Sequence, residues 1–96
     1  MVMDKFQRLV FSFFREEPSI IEKLSPFRGC YVSRSWGHIR IDCIDSDHLK
    51  QVIELIGYIK VPFAELQLAR NIVISAPGQL DCIYSIQSQL QMDQLS

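Results

Sequence analysis

The chain has 96 residues, 48% of them apolar and 22% charged, with ten Lys and Arg against eleven Asp and Glu. A chain this short is one small globular domain that buries only about 60–65% of its unfolded surface, which leaves little room for a deep enclosed active site beside a core and excludes large multi-step enzymes. A net charge of −1 sets up no whole-molecule field for a polyanion or an anionic membrane, so any such partner must be met by a local patch.

From Asp4 to Arg15, Phe6, Leu9, Val10, Phe13 and Phe14 recur at i, i+3, i+4, i+7 and i+8, which predicts a helix with Asp4 as its cap. Those five span an arc of about 140°, and Phe11 lies roughly 60° beyond it. Two readings of that widened face stand: the next segment folds back over Phe11, or Phe11 mediates self-association. The apolar run Leu9 to Phe14 is broken by Ser12 and closely flanked by charges, too short for a secretory core, and no window reaches the ~20 apolar residues of a membrane span. Pro18 opens a short helical piece carrying Ile20, Ile21 and Leu24 before Pro26.

From Gly29 the period changes to two. Cys30 and Val32, then Ile39, Ile41 and Cys43, alternate with polar neighbours around Ser35-Trp36-Gly37-His38, which predicts a β-hairpin. With Trp36 and Gly37 as a two-residue loop, Ser35 faces His38, Val32 faces Ile41 and Cys30 faces Cys43, placing the apolar side chains of both strands on one face. The other face then carries Tyr31, Ser33, His38, Arg40 and Asp42. Trp-Gly is a poor sequence for a primed turn, which needs positive φ at both loop residues, so a longer loop is the alternative.

Asp45-Ser46-Asp47 supplies capping oxygens for a helix through Leu49, Val52, Ile53, Ile56 and Ile59, with Gly57 as its stop. Pro62 is read as the start of a third helix to Arg70, with Phe63, Leu66 and Ala69 inward. Ile72–Ser75 and Leu80–Ile86 predict a second hairpin whose Pro77-Gly78 suits a type II turn within a wide loop. The alternation of the second strand continues through Leu90 and Met92, giving either a long overhanging strand or a helical or frayed tail.

The expected fold is therefore α+β, a two-layer sandwich in which an antiparallel sheet of about four strands, two β-hairpins, has helices on one face in the order α-ββ-α(α)-ββ. Residues 1–86 form the domain and 87–96 a polar, Gln-rich tail.

No residue constellation points to catalysis, a metal or a cofactor. Cys30, Cys43, Cys82, His38 and His48 lack the two-to-four-residue ligand spacing of structural zinc sites, and the three cysteines read as small buried hydrophobes in a reducing, cytoplasmic protein. The four glycines are dispersed at turns and caps and build no phosphate loop. The strongest local signal is electrostatic: from Ser25 to Ile41 there are Arg28, Arg34, Arg40 and His38 with Phe27, Tyr31 and Trp36 and no acidic residue, whereas Asn71 to Ser96 contain no Lys or Arg.

Together these features predict a non-catalytic regulatory or assembly module that recognises a protein partner and self-associates. Its binding residues are Arg28, Tyr31, Arg34, Trp36, His38 and Arg40, with Phe11 as the homo-oligomer contact. The alternative is nucleic-acid binding through the basic, aromatic hairpin 28–40, where guanidinium groups meet phosphates and rings stack on bases. Neither reading involves a membrane.

Overall fold

In a computed structural model, residues 4–86 are described. They form α1 (Lys5–Phe13), α2 (Pro18–Lys23), a 3-10 turn η1 (Ser25–Gly29), β1 (Tyr31–Ser35), β2 (His38–Asp42), α3 (Ser46–Ile53), α4 (Ile56–Glu65), β3 (Asn71–Ser75) and β4 (Cys82–Ser85). The fold is the expected α+β arrangement, with a four-stranded sheet in the order β1-β2-β3-β4. The expectation for residues 87–96, including Leu90 and Met92, lies outside the described residues.

β1 and β2 pair antiparallel in the register expected from alternation, Ser35 opposite His38 and Val32 opposite Ile41. β3 and β4 pair antiparallel as well, Ile72 opposite Tyr84 and Ile74 opposite Cys82. The two hairpins meet through a parallel pairing of β2 with β3, Ile39 beside Ile72 and Ile41 beside Ile74. Parallel neighbours need a crossover of a dozen or more residues, and α3 with α4 supplies it. The result is four central isoleucines, Ile39, Ile41, Ile72 and Ile74, all fully buried on the face that the helices cover.

α1 begins as expected at Asp4, whose carboxylate accepts from the Phe6 and Gln7 backbone N–H groups. Gln7 completes a capping box by accepting the Asp4 N–H at Oε1. The buried stripe is Gln7, Val10, Phe11 and Phe14, with Phe13 left exposed, so the helix is rotated about one residue from the expected face. Two features cause the rotation. The Gln7 amide donates to the carbonyls of Phe27 at 2.9 Å, Arg28 at 3.2 Å and Cys30 at 2.7 Å. Phe11 packs on Phe27, and the Arg28 guanidinium sits 4.4 Å above the Phe11 ring. Of the two readings of Phe11, fold-back is the one observed: the side chain is 8% exposed. Phe11 is therefore withdrawn as a self-association contact.

The helix pair differs in its boundaries. α3 starts at the expected cap, the Asp45 carboxylate accepting from the His48 N–H. It ends at Ile53 rather than at Gly57, and Pro62, read as a helix start, lies inside α4. Ile59 and Phe63 stand one turn apart and are both fully buried, so a break at Pro62 would split one continuous core face. Leu66, expected inward, is exposed because the chain turns at Gln67, which takes φ 52°. There Leu68 N–H bonds Phe63 O and Gln67 N–H bonds Ala64 O, a Schellman cap with glutamine in the left-handed position that glycine favours. Gln67→Gly should therefore stabilise the domain by about 0.5–1 kcal/mol, read as a raised urea midpoint.

Both hairpin turns match their sequences. Trp36 (φ 52°) and Gly37 (φ 81°) form the two-residue primed turn despite the unfavourable tryptophan. Ala76 O accepts from Gln79 N–H around Pro77-Gly78, with Gly78 at φ 73°, as a type II turn inside the wider loop.

Candidate interaction surface

The hairpin register decides where each expected binding residue points. Tyr31, Ser33, His38, Arg40 and Asp42 lie on the sheet face away from the helices, joined there by Asn71, Val73, Ser75 and Ile83. No described helix covers this face. Its central row runs Ser33, Arg40, Val73, Ile83, so an apolar pair stands beside the arginine, with Tyr31 on the next row. Tyr31 is 66% exposed and Ile83 67%.

The charge on this face is internally compensated. Arg40 Nε lies 3.3 Å from Asp42 Oδ1 and its Nη1 3.7 Å from Asp81 Oδ2. Asp42 Oδ1 also accepts from the Ser75 hydroxyl at 2.6 Å. Exposed pairs of this kind contribute little to stability, but they cancel the positive potential that the sequence places at Arg40. His38 Nδ1 stands 3.4 Å from the Asn71 side-chain amide.

The remaining expected residues are not brought together with this face. Arg28 sits on η1 over Phe11, on the helix side of the sheet. Arg34 alternates with Tyr31 and Ser33 and so lies on the helix side too, opposite Ile39 on the edge strand, where it is exposed. Trp36 projects from the turn and is 91% exposed. Thus the acid-free stretch from Ser25 to Ile41 is not one basic surface but three separate places.

A tryptophan held in the left-handed region is costly, by about 1–2 kcal/mol for a residue with a Cβ. Asn in that position is favoured in primed turns. Trp36→Asn is therefore expected to raise stability by about 1 kcal/mol, measured by urea denaturation, while removing the indole from the tip. An unchanged or lowered midpoint would mean that the indole stabilises the turn, contrary to its exposure.

The hairpin register sets Cys30 opposite Cys43, but sequence spacing does not reveal that His48 joins them. Cys30 precedes β1, Cys43 follows β2 and His48 lies in the first turn of α3, and their ligand atoms lie within 4.8 Å of one another. Their chemistry is settled by hydrogen bonds. His48 Nδ1 accepts the Ile44 N–H at 2.9 Å, so the ring proton is on Nε2, which donates to Pro26 O at 2.7 Å. Both nitrogens are engaged, and a metal at Nε2 would have to displace that proton while Nδ1 stays an acceptor. The imidazole is a structural pin between the α3 start and η1. Burial, and then the neighbouring Cys43, pushes the Cys30 thiol far up from its ordinary value. Burial also pushes Cys43 up, although the hydrogen bond from Cys30 works the other way there. Protonated buried thiols are inert as nucleophiles.

Hollows of about 620 Å³, lined by residues such as Arg15, Pro18, Glu22 and Arg28, and of about 360 Å³, lined by Leu9, Phe13 and Leu66, contain neither histidine. No described helix is long and apolar enough to cross a membrane. Compared with protein-family models, curated proteins and solved structures, the chain matches none.

Proposed function

We propose that this chain is a non-catalytic protein-interaction module, regulatory or assembling in role, that uses the open face of its sheet. One observation carries the reading: Tyr31, Val73 and Ile83 sit on a sheet face that no described helix covers, around an arginine whose charge Asp42 and Asp81 already balance. Exposed aromatic and aliphatic groups beside an arginine are residue types that concentrate binding energy in protein interfaces. A compensated face suits a protein partner better than a phosphate backbone, because a polyanion would meet two carboxylates for one guanidinium. The same face is open to a second copy of the chain in the cytoplasm. Sedimentation velocity over a wide concentration range tests that self-association: a concentration-dependent shift lost in Ile83→Ser supports it, and a strictly monomeric wild type removes it.

A further inference from the structure

The fold adds a residue to the hairpin tip that lies far from it in sequence. Arg70 immediately precedes β3, and its N–H donates to Gly37 O at 2.8 Å. Its guanidinium lies over the turn, with Nε 3.4 Å from the point a Cβ at Gly37 would occupy. By strand alternation Arg34, opposite Ile39 on the edge strand, and Arg70, two residues before Ile72, project to the same side of the sheet. Neither takes part in an ion pair among the described residues, unlike Arg40. Asp4, whose carboxylate reaches the β1 edge at Val32, is engaged by the backbone N–H groups of Phe6, Gln7 and Val32. In the same turn, two residues after Arg34 and next to the Gly37 that Arg70 overlies, the exposed indole of Trp36 is carried on a backbone conformation that tryptophan rarely adopts.

We propose that this tip, Arg34, Trp36 and Arg70, contacts single-stranded nucleic acid, one base stacking on the indole while the two guanidinium groups hold adjoining phosphates. A ligand joining a planar ring to an anion uses both features at once; an acidic peptide would use only the arginines. The contact is short, because a strand continuing over the open face would run into Asp42 and Asp81. It involves neither Arg28 nor Arg40, and it stands independently of the open-face reading.

Trp36 is the sole tryptophan of the chain, so its fluorescence reports directly on the tip. Titrating the full chain with an oligothymidylate of about eight nucleotides at low salt should quench it. The logarithm of affinity should fall against the logarithm of salt with a slope of about −1.4, two phosphates at about −0.7 each. The pair Arg34→Ala/Arg70→Ala should weaken binding about tenfold or more, and Arg40→Ala should leave it within about twofold. If the double variant fails to fold, Arg34→Ala alone should lose about threefold or more, since its side chain is exposed at the sheet edge and its loss leaves the core intact. Unchanged fluorescence, equal binding by the arginine variants, or equally strong quenching by a polyglutamate peptide would overturn the proposal, the last by assigning the tip to an acidic protein segment.

Discussion

Gln7→Leu is expected to cost about 3 kcal/mol of folding stability. Gln7 is only 3% exposed, and its amide serves the carbonyls of Phe27, Arg28 and Cys30 while its Oε1 serves the Asp4 N–H. Leucine fills a similar volume and leaves the Cys30 carbonyl without its donor in the interior, at about 1–3 kcal/mol for a buried orphan, and also removes the capping-box acceptor of the Asp4 N–H, while Phe27 O keeps the Cys30 N–H. For a domain of this size that lowers the melting temperature by roughly 12–24 °C. Urea unfolding should show the shift in midpoint with an unchanged slope. A cost under about 1 kcal/mol would mean that water or a rearranged η1 replaces the amide, and that α1 is not fastened to the hairpin through this side chain.

The second large effect is alkaline. Cys30 and Cys43 both hold their protons more tightly folded than at the ordinary thiol value of 9.0, chiefly because they are buried. A folded pKa above the unfolded one means that the unfolded chain releases the proton first. The thiols therefore contribute stability that is fully present below about pH 9 and is lost as pH rises further, at up to about 1.4 kcal/mol per pH unit for each thiol. Between pH 8 and pH 11 the domain should lose about 3 kcal/mol or more. The pair Cys30→Ala/Cys43→Ala should flatten most of that fall, leaving the smaller contribution of Tyr84, whose hydroxyl burial also pushes up. A wild-type profile that stays level to pH 11 would contradict the buried, protonated pair.

Much of the fold is legible because the periods are clean. Alternation through Val32, Ile39 and Ile41 fixes the first hairpin to the residue, and Asp4 and Asp45 announce their helices through cap geometry that is local in sequence. What is not legible depends on long-range partners. A glutamine on a helix reads as solvated until three carbonyls from η1 and the start of β1 are placed beside it. The end of α3 at Ile53 cannot be seen in a run of apolar residues that suits a helix throughout, because packing of Ile59 and Phe63 chooses the break. The parallel join of β2 to β3 likewise depends on which way the helix pair carries the chain back.

The candidate surfaces divide along the same line. Which hairpin residues share a face follows from a period of two, so Tyr31, His38 and Arg40 are correctly grouped. That Arg40 is balanced by Asp81, and that Arg70 overlies Gly37 in the turn that carries Trp36, requires contacts across the sheet. A linear count of charges therefore finds a basic stretch where the folded molecule has a compensated face and a separate basic tip.

Recovery of partners by the wild-type chain and by Tyr31→Ala/Ile83→Ser from the native cell, with and without nuclease, tests the open-face account most directly. The account predicts nuclease-resistant protein partners that are lost from the double variant while its melting temperature stays near that of wild type. Nuclease-resistant partners retained by the folded double variant, or partners recovered by the wild type only without nuclease, would contradict it.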